Sequence, residues 1–338
     1  MKVFVTGSTG LLGNNLVRAL IARGHEVVGL VRSEEKGRRL LGETGARLVV
    51  GDMRDVPGFA AALEGCEVVF HTAAYFREYY RQGDHATALE AINVQATLAL
   101  LNEAERRGVR RFVHTSSSGA IGGTGDGSEA NESTPPGALQ QSNLYFKSKV
   151  EGDAAIRAWA DAHGMAVVEI LPGWMWGPGD AGPTAAGQLV MDFLARKIPA
   201  VPDGGTCVVD ARDVADAMIA AAERGRARER YIVGGEYRDV AEILRGLEAA
   251  TGVAGPSLQL PYFLIYGFAF LAETFAWLMG SDVLVTREAV RVLHERQRLS
   301  SAKAVRELGA HFRPLAETLA DTVAWHRAHP TPVVAKAA

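Results

Sequence analysis

Cysteine is almost absent from this chain: two residues in 338, Cys66 and Cys207. Two thiols build no disulfide framework, and neither sits in a CxxC or Cys/His spacing that would hold zinc. A reducing compartment, the cytoplasm, is the expectation. An excess of one charge is missing too. Lys and Arg number 36 against 39 Asp and Glu, a net charge of −3, with no run of five like charges. Nothing therefore advertises a nucleic-acid surface. No basic stretch followed by an apolar run opens the chain, so no secretory leader is expected. No His, Asp and Glu cluster has metal-ligand spacing, so no metal is expected.

What is present is a globular composition, 48% hydrophobic and 22% charged, long enough for about two units of ~150 residues or one large α/β domain. Short β-branched runs alternate with helical stretches over the first 170 residues. Lys2–Thr6, Glu26–Val31, Arg47–Gly51, Glu67–His71, Phe112–Ser116 and Ala166–Leu171 read as strands. Leu11–Arg23, Ser33–Leu41, Phe59–Leu63, Ala86–Arg107 and Asn143–His163 read as the helices between them. The pattern predicts an α/β fold, a doubly wound parallel sheet (Rossmann fold) with ligands beyond the carboxyl ends of its strands.

After Leu171 the rhythm breaks into a Gly/Pro-rich loop and then helices, with Tyr231–Val233 a short strand that could rejoin the sheet. The expected division is a dinucleotide-binding domain over 1–171, a smaller, mainly helical substrate-binding cap over 172–330, and a frayed tail over 331–338. From Val253 to Ser281 only Glu273 is charged, amid Phe263, Phe268, Phe270, Phe275 and Trp277. Pro256, Pro261 and Glu273 argue against a spanning helix. The stretch reads as a buried helix or helical pair roofing an apolar pocket, with membrane-surface contact through 256–280 as the alternative.

Thr6-Gly7-Ser8-Thr9-Gly10-Leu11-Leu12-Gly13 follows the first strand and opens the first helix. Its glycines suit a tight turn, close approach to a pyrophosphate and close helix–strand contact, and the helix N-terminus offers free N–H groups. At the end of the second strand a carboxylate would bind the 2′-hydroxyl of NAD, whereas an Arg accommodates the 2′-phosphate of NADP. Here Arg32 stands, with Lys36, Arg38 and Arg39 close behind. NADP(H) is favoured and NAD(H) stays open, since Arg32 could be an ordinary surface cation. Asp52 is placed to meet the adenine amino group, although a plain N-cap would look the same.

Tyr145 and Lys149 are four residues apart, hence on one helix face. An ammonium group favours a phenolate, and such a pair can hand a proton to a carbonyl oxygen. Thr115-Ser116-Ser117-Ser118 ends the fifth strand, where a hydroxyl could hold the substrate oxygen. His71 and His114 read as packed strand-end histidines. Asp210, Arg212 and Asp213 read as N-cap and charge clamp for the next helix.

Together with Val69–Ala74, Asn93–Thr97 and Leu171–Pro178, these motifs make the chain resemble the extended short-chain dehydrogenase/reductase superfamily (the NAD-dependent epimerase/dehydratase family) from Met1 to about Ala328. Within it, Arg32, Tyr145–Lys149, Arg313-Pro314-Leu315 and Trp325 most resemble the dihydroflavonol-4-reductase-like branch, with 3β-hydroxysteroid dehydrogenases and cinnamoyl-CoA reductases among its relatives. The resemblance implies Ser117, Tyr145 and Lys149 as catalytic residues, with Ser116 and Ser118 as rivals of Ser117, and Asn93 as a brace or a structural amide. It implies cofactor contacts at Gly7, Thr9, Gly10, Leu11, Leu12, Gly13, Arg32, Asp52, Met53, Thr72, Ala73, Ala74, Thr115, Tyr145, Lys149, Pro172 and Gly173. Tyr75, Phe76, Ser118, Trp174 and Trp176 would touch substrate, and the wall they form is apolar.

The expected activity is NADP(H)-dependent reduction of a ketone or aldehyde on a largely apolar small molecule, or oxidation of the matching alcohol. Dehydratases of this group carry an acid after the catalytic hydroxyl; here Ser118-Gly119 follows, which disfavours dehydration. Gly177–Pro199 also resembles sugar-epimerase relatives, so a sugar-nucleotide epimerase with tightly bound NAD is the alternative. A non-catalytic NADP(H) sensor is a second one, disfavoured because Tyr145 and Lys149 are both kept. The resemblance further implies a homodimer through the helices matching Ala86–Arg107 and Asn143–His163.

Overall fold

The structure, a computed structural model, describes residues 1–76, 85–279 and 286–329. Six strands fall close to where the β-branched runs place them: β1 (Lys2–Thr6), β2 (Glu26–Val31), β3 (Arg47–Val50), β4 (Val68–His71), β5 (Arg111–Thr115) and β6 (Ala166–Pro172). Later strands are β7 (Trp174–Trp176), β8 (Val201–Pro202), β9 (Gly205–Asp210), β10 (Arg230–Val233), β11 (Glu236–Asp239) and β12 (Gln259–Leu260). The main sheet is parallel, in the order β10-β6-β5-β4-β1-β2-β3. Val3, Phe4 and Val5 of β1 have no exposed surface, as a strand covered on both faces requires.

One face is covered by the helices Leu11–Ala22 and Ala211–Arg224, which meet through Leu16, Val17, Leu20 and Met218. The other carries Ala96–Arg106 and Leu144–Ala162, packed through Leu100, Leu101, Ile156 and Trp159. Strand order reverses between β1 and β4, so the crevice at their carboxyl ends is the switch point where such sheets bind ligands.

The cap grows from β6. A three-stranded sheet, β11-β9-β7, lies against the helices Ala185–Leu194, Val240–Thr251 and Leu315–Ala328. Asp210 caps the Ala211–Arg224 helix, its carboxylate accepting from Arg212 N at 2.8 Å and Arg212 Nη2 at 2.7 Å. The strand Tyr231–Val233 does rejoin the main sheet, lengthened by Arg230 as β10 beside β6.

Three details depart from the sequence pattern. Phe59–Leu63 splits into an α-turn, Val56–Phe59, and a 3₁₀ turn, Ala60–Leu63, because Asp55 caps the segment early. The long helix from Ala86 carries a π-helical section, Glu90–Gln95, invisible to a 3.6-residue pattern. The expected buried roof is the third. On the helix Tyr262–Met279, Phe263, Phe268, Phe270 and Phe275 are each at least half exposed, and only Ile265 and Ala269 among its described side chains are buried.

The inner face of this helix packs on the short helix Arg287–His294 through Ile265, Ala269 and Val290, and Glu273 joins them by accepting from Arg287 N at 2.7 Å and Arg287 Nε at 2.5 Å. Trp277's side chain, residues 280–285 and the tail 331–338 lie outside the described residues. Among the described residues no helix is long and apolar enough to cross a membrane.

Gly173 joins sheet to cap. A Cβ there would lie 2.4 Å from Gly234 O and 2.8 Å from Cys207 O, both backbone atoms that cannot step aside. Gly173→Ala is expected to cost about 2 kcal/mol of stability, as overpacking does. Urea unfolding measures it, and a midpoint equal to wild type would contradict the close approach.

Candidate active site

The loop between β1 and the first helix is built from backbone. Gly7 has φ +67°, and a Cβ on it would strike Thr72 Oγ1 at 2.7 Å and Ala73 N at 2.8 Å. A Cβ on Gly13 would meet Gly7 O at 2.2 Å. Gly10 is the N-cap of the helix Leu11–Ala22, with no capping side chain and no acidic residue in the first turn. The helix therefore presents the N–H groups of Leu11 and Leu12 and its positive end to whatever lies in the crevice. Thr6 stitches the two walls together: its Oγ1 accepts from Thr72 N at 3.1 Å and Ala73 N at 3.2 Å, and Thr72 Oγ1 donates to Thr6 O at 2.7 Å. A side-chain-free concavity over a helix N-terminus fits a dinucleotide pyrophosphate.

At the far end of the crevice Arg32 is exposed just past β2, and Ser33 caps the next helix by accepting from Lys36 N. Asp52 is already engaged. It accepts from Arg54 N, Nε and Nη2 at 2.9, 3.0 and 2.8 Å, and these bonds, with a smaller contribution from Arg32, hold its carboxyl down at about 2. Met53 turns its side chain into the core, so only its backbone faces the crevice. Ala74 is exposed, and Thr9, Thr72 and Ala73 are half-buried along the same edge.

The helix Leu144–Ala162 starts where Asn143 Oδ1 accepts from Phe146 N at 3.0 Å. That start turns Tyr145 and Lys149 inward, 8% and 4% exposed. Lys149 Nζ lies 6.0 Å from the centre of the Tyr145 ring and donates to Thr115 O at 3.2 Å, tying helix to β5. Burial pushes the Lys149 ammonium down to about 8, against the opposing pull of Asp153. The Phe76 ring packs 4.7 Å from the Tyr145 ring.

Burial separates the three serines. Ser116 is inside, beside Asp153. Ser117 and Ser118 are half-buried, and Ser117 Oγ accepts from Gly119 N at 3.0 Å, holding the turn that carries both. Asn93 sits in the π-helical section, a feature frequent at functional sites. Its Oδ1 accepts from Tyr75 N at 2.8 Å; its Nδ2 donates to Tyr75 O and Ser148 Oγ, each at 3.2 Å. It clamps the backbone beside the crevice to the helix Leu144–Ala162. Tyr75 OH also pairs with His85 Nδ1 at 2.7 Å.

Other residues are placed differently from the substrate wall the sequence suggested. Trp176 has no exposed surface and packs with Val190, Phe193 and Val208 in the cap core, because β7 alternates and its cap-facing side holds both tryptophans. Trp174 is partly exposed against it, ring centres 4.9 Å apart. Pro172 closes β6, and Gly173 N donates to Val233 O at 3.2 Å. His71 bonds Thr6 Oγ1 and Thr97 Oγ1 and is held near 3 by burial, hence neutral; burial depresses His114 as well. Asp213, Asp216 and His311 bring three ligand-type atoms together, yet Arg313 and Arg23 hold the two carboxylates.

Sequence reasoning missed a buried charge cluster beneath Lys149, formed by Asp153, Glu169 and Arg230. The available signal was Asp153, four residues beyond Lys149 on the same face.

A parallel sheet with a glycine cradle at its switch point and a buried Tyr/Lys pair at the next strand end is the frame of a Rossmann-fold nucleotide-binding protein. The chain belongs to the NAD dependent epimerase/dehydratase family, whose model matches residues 3–234. It is 35% identical over 331 residues to Sterol demethylase protein B of Methylococcus capsulatus (strain ATCC 33009 / NCIMB 11132 / Bath), covering 97% of this chain and 98% of that one. It is 33% identical to a putative dihydroflavonol 4-reductase of Synechocystis sp. (strain ATCC 27184 / PCC 6803 / Kazusa), over 96% and 94% of the two chains. The crystal structure of gox2253 superposes with a TM-score of 0.84 at 33% identity, over 97% and 98%.

Asn93→Ala would strand both the N–H and the carbonyl of Tyr75. Both groups are half-buried, and each lost hydrogen bond is worth about 0.5–1.5 kcal/mol, so lowered turnover and a lowered melting temperature are expected together. Turnover and melting temperature both at wild-type values would remove Asn93 from the site.

Proposed function

We propose that the chain is an NADP(H)-dependent reductase acting on the carbonyl of a largely apolar small molecule, with Tyr145 as the proton donor. The observation that carries this reading is the meeting of Tyr145, Lys149 and the Thr115–Ser118 strand end beside the glycine cradle. Gly7, Gly10 and Gly13 would hold the pyrophosphate with the N–H groups of Leu11 and Leu12. Arg32 would take the 2′-phosphate, and the backbone around Asp52 and Met53 the adenine. Lys149 would hold the nicotinamide ribose. When bound, the nicotinamide supplies the hydride that reaches the carbonyl carbon.

The chain's own residues supply the rest. Ser117 donates a hydrogen bond to the carbonyl oxygen and fixes its direction. Tyr145 passes its phenolic proton to that oxygen as negative charge develops there. Lys149, cationic and nearly dry, stabilises the tyrosinate left behind. Asn93 keeps Tyr75 against the crevice, and Phe76, packed on the Tyr145 ring, shields the proton transfer from water. Tyr75, Phe76 and the exposed part of Trp174 favour an apolar substrate. Free, buried Cys66 and Cys207 support action in the cytoplasm. The exposed Leu144, Ala154 and Ala158 on the outer face of the Leu144–Ala162 helix support pairing into a homodimer there.

Tyr145→Phe is expected to lower kcat by about 100-fold or more, with NADPH affinity nearly unchanged by fluorescence titration. Near-normal turnover in that variant would dismiss Tyr145 as the donor. The same titration with NADH tests Arg32: NADPH should bind more tightly, and equal affinities would contradict the 2′-phosphate role.

A further inference from the structure

The crevice does not account for what lies beneath it. One turn beyond Lys149, Asp153 is 1% exposed, and its Oδ2 accepts from Arg230 Nη2 of β10 at 3.0 Å. Glu169 of β6, 3% exposed, lies 4.0 Å from Arg230 Nε and 3.7 Å from Arg157 Nη1. Asp153 Oδ1 and Glu169 Oε2 are buried with no hydrogen-bond partner in the described protein. Burying such charges is expensive, and an apolar core of the same shape is often the more stable choice. Stability therefore gives a weak reason for this cluster.

Position gives a better one. Lys149 is fully buried, and burial drives an ammonium toward its neutral form. Among the described residues, few groups face it. His71 of β4 and His114 of β5 are both neutral, and Lys149's own field helps to keep them so. Thr115 offers a carbonyl dipole, and the Tyr145 ring stands 6.0 Å from Lys149 Nζ. Asp153, on the same helix, is the carboxylate that acts on it. Facing Asp153 in turn are Arg230, the Ser116 hydroxyl, Lys149, Arg157 and Glu169. Burial first, and then the charge on Asp153, push the Glu169 carboxyl well up; burial pushes Asp153 up as well, but Arg230 at 3.0 Å makes it the better paired of the two carboxyls.

We infer that Asp153 is a positioning residue: its buried carboxylate, held in place by Arg230, keeps Lys149 charged at neutral pH and so sets the upper pH limit of the site. Its consequence for proton transfer rests on the role proposed for Tyr145; its effect on Lys149 does not. The same logic assigns Ser116 to this cluster.

The test is the titration of the Lys149 side chain in the full-length protein, followed by carbon–nitrogen NMR of labelled lysine and assigned by the signal lost in Lys149→Met. Asp153→Asn should move that titration to lower pH by about one unit or more, a tenfold or larger change. The basic limb of kcat against pH should move with it. Asp153→Glu, which keeps a carboxyl group there, should restore most of the shift, and Glu169→Gln, which leaves the Asp153–Arg230 pair in place, should move Lys149 less than Asp153→Asn does. Should Asp153→Asn fail to fold because Arg230 is stranded, Arg230→Gln compared with Asp153→Asn/Arg230→Gln isolates the carboxylate, and Lys149 should titrate at lower pH in the double variant. An unmoved Lys149 titration in a folded variant lacking the carboxylate would overturn the inference, whatever the turnover. A moved titration with no carbonyl reduction by the wild type would leave the inference standing and overturn the proposed reaction instead.

Discussion

One hydrogen bond organises the site: the Lys149 ammonium on the carbonyl of Thr115, 3.2 Å long and nearly without water. It joins the helix Leu144–Ala162 to the end of β5, and so fixes Tyr145 relative to the serines that follow that strand. Tyr145 and Lys149 come from one helix and need only its 3.6-residue turn to align. Thr115 lies 34 residues before Lys149 and needs the sheet. A buried cation is costly unless its surroundings answer it, and here a carbonyl dipole and the Asp153 carboxylate do so. The rest of the constellation inherits its placement from that bond.

The cofactor side obeys a different constraint, close approach of backbone. Gly7 and Gly13 are dictated by atoms 2.2 to 2.8 Å from where a Cβ would stand. Thr6 ties the end of β1 to Thr72 and Ala73 just past β4, so the two walls of the crevice are held at a fixed spacing. One end of the sheet therefore carries an anion-binding backbone and, two strands away, a buried cation beside a phenol.

The sheet was legible because its strands are β-branched runs buried on both faces, and the glycine loop because its spacing has few other uses. Tyr145 and Lys149 were legible from a spacing of four. The choice among Ser116, Ser117 and Ser118 was not, since strand alternation leaves neighbours ambiguous at a strand's end; the burial of Ser116 beside Asp153 narrows it. The π-helical turn at Asn93 has no periodic signature. Trp176 read as a pocket wall because aromatic residues follow a Gly/Pro loop there, but whether β7 turns them to the pocket or to the cap is a tertiary fact. The helix Tyr262–Met279 read as buried because its composition is apolar. Which face stays open is a tertiary fact: Ile265 and Ala269 pack on Val290, and Glu273 bonds Arg287, 14 positions away.

The most direct measurement is a single turnover in which nucleotide-stripped protein, loaded with NADPH, is mixed with an apolar aryl ketone and the loss of nicotinamide absorbance is followed, for wild type and Lys149→Met. The account predicts stoichiometric NADPH oxidation by wild type and a rate lower by about 100-fold or more in the variant. Equal rates would contradict the central place given to Lys149. An inert wild type that purifies with tightly held NAD⁺ would contradict the reductase reading and favour an internal redox cycle on a sugar nucleotide.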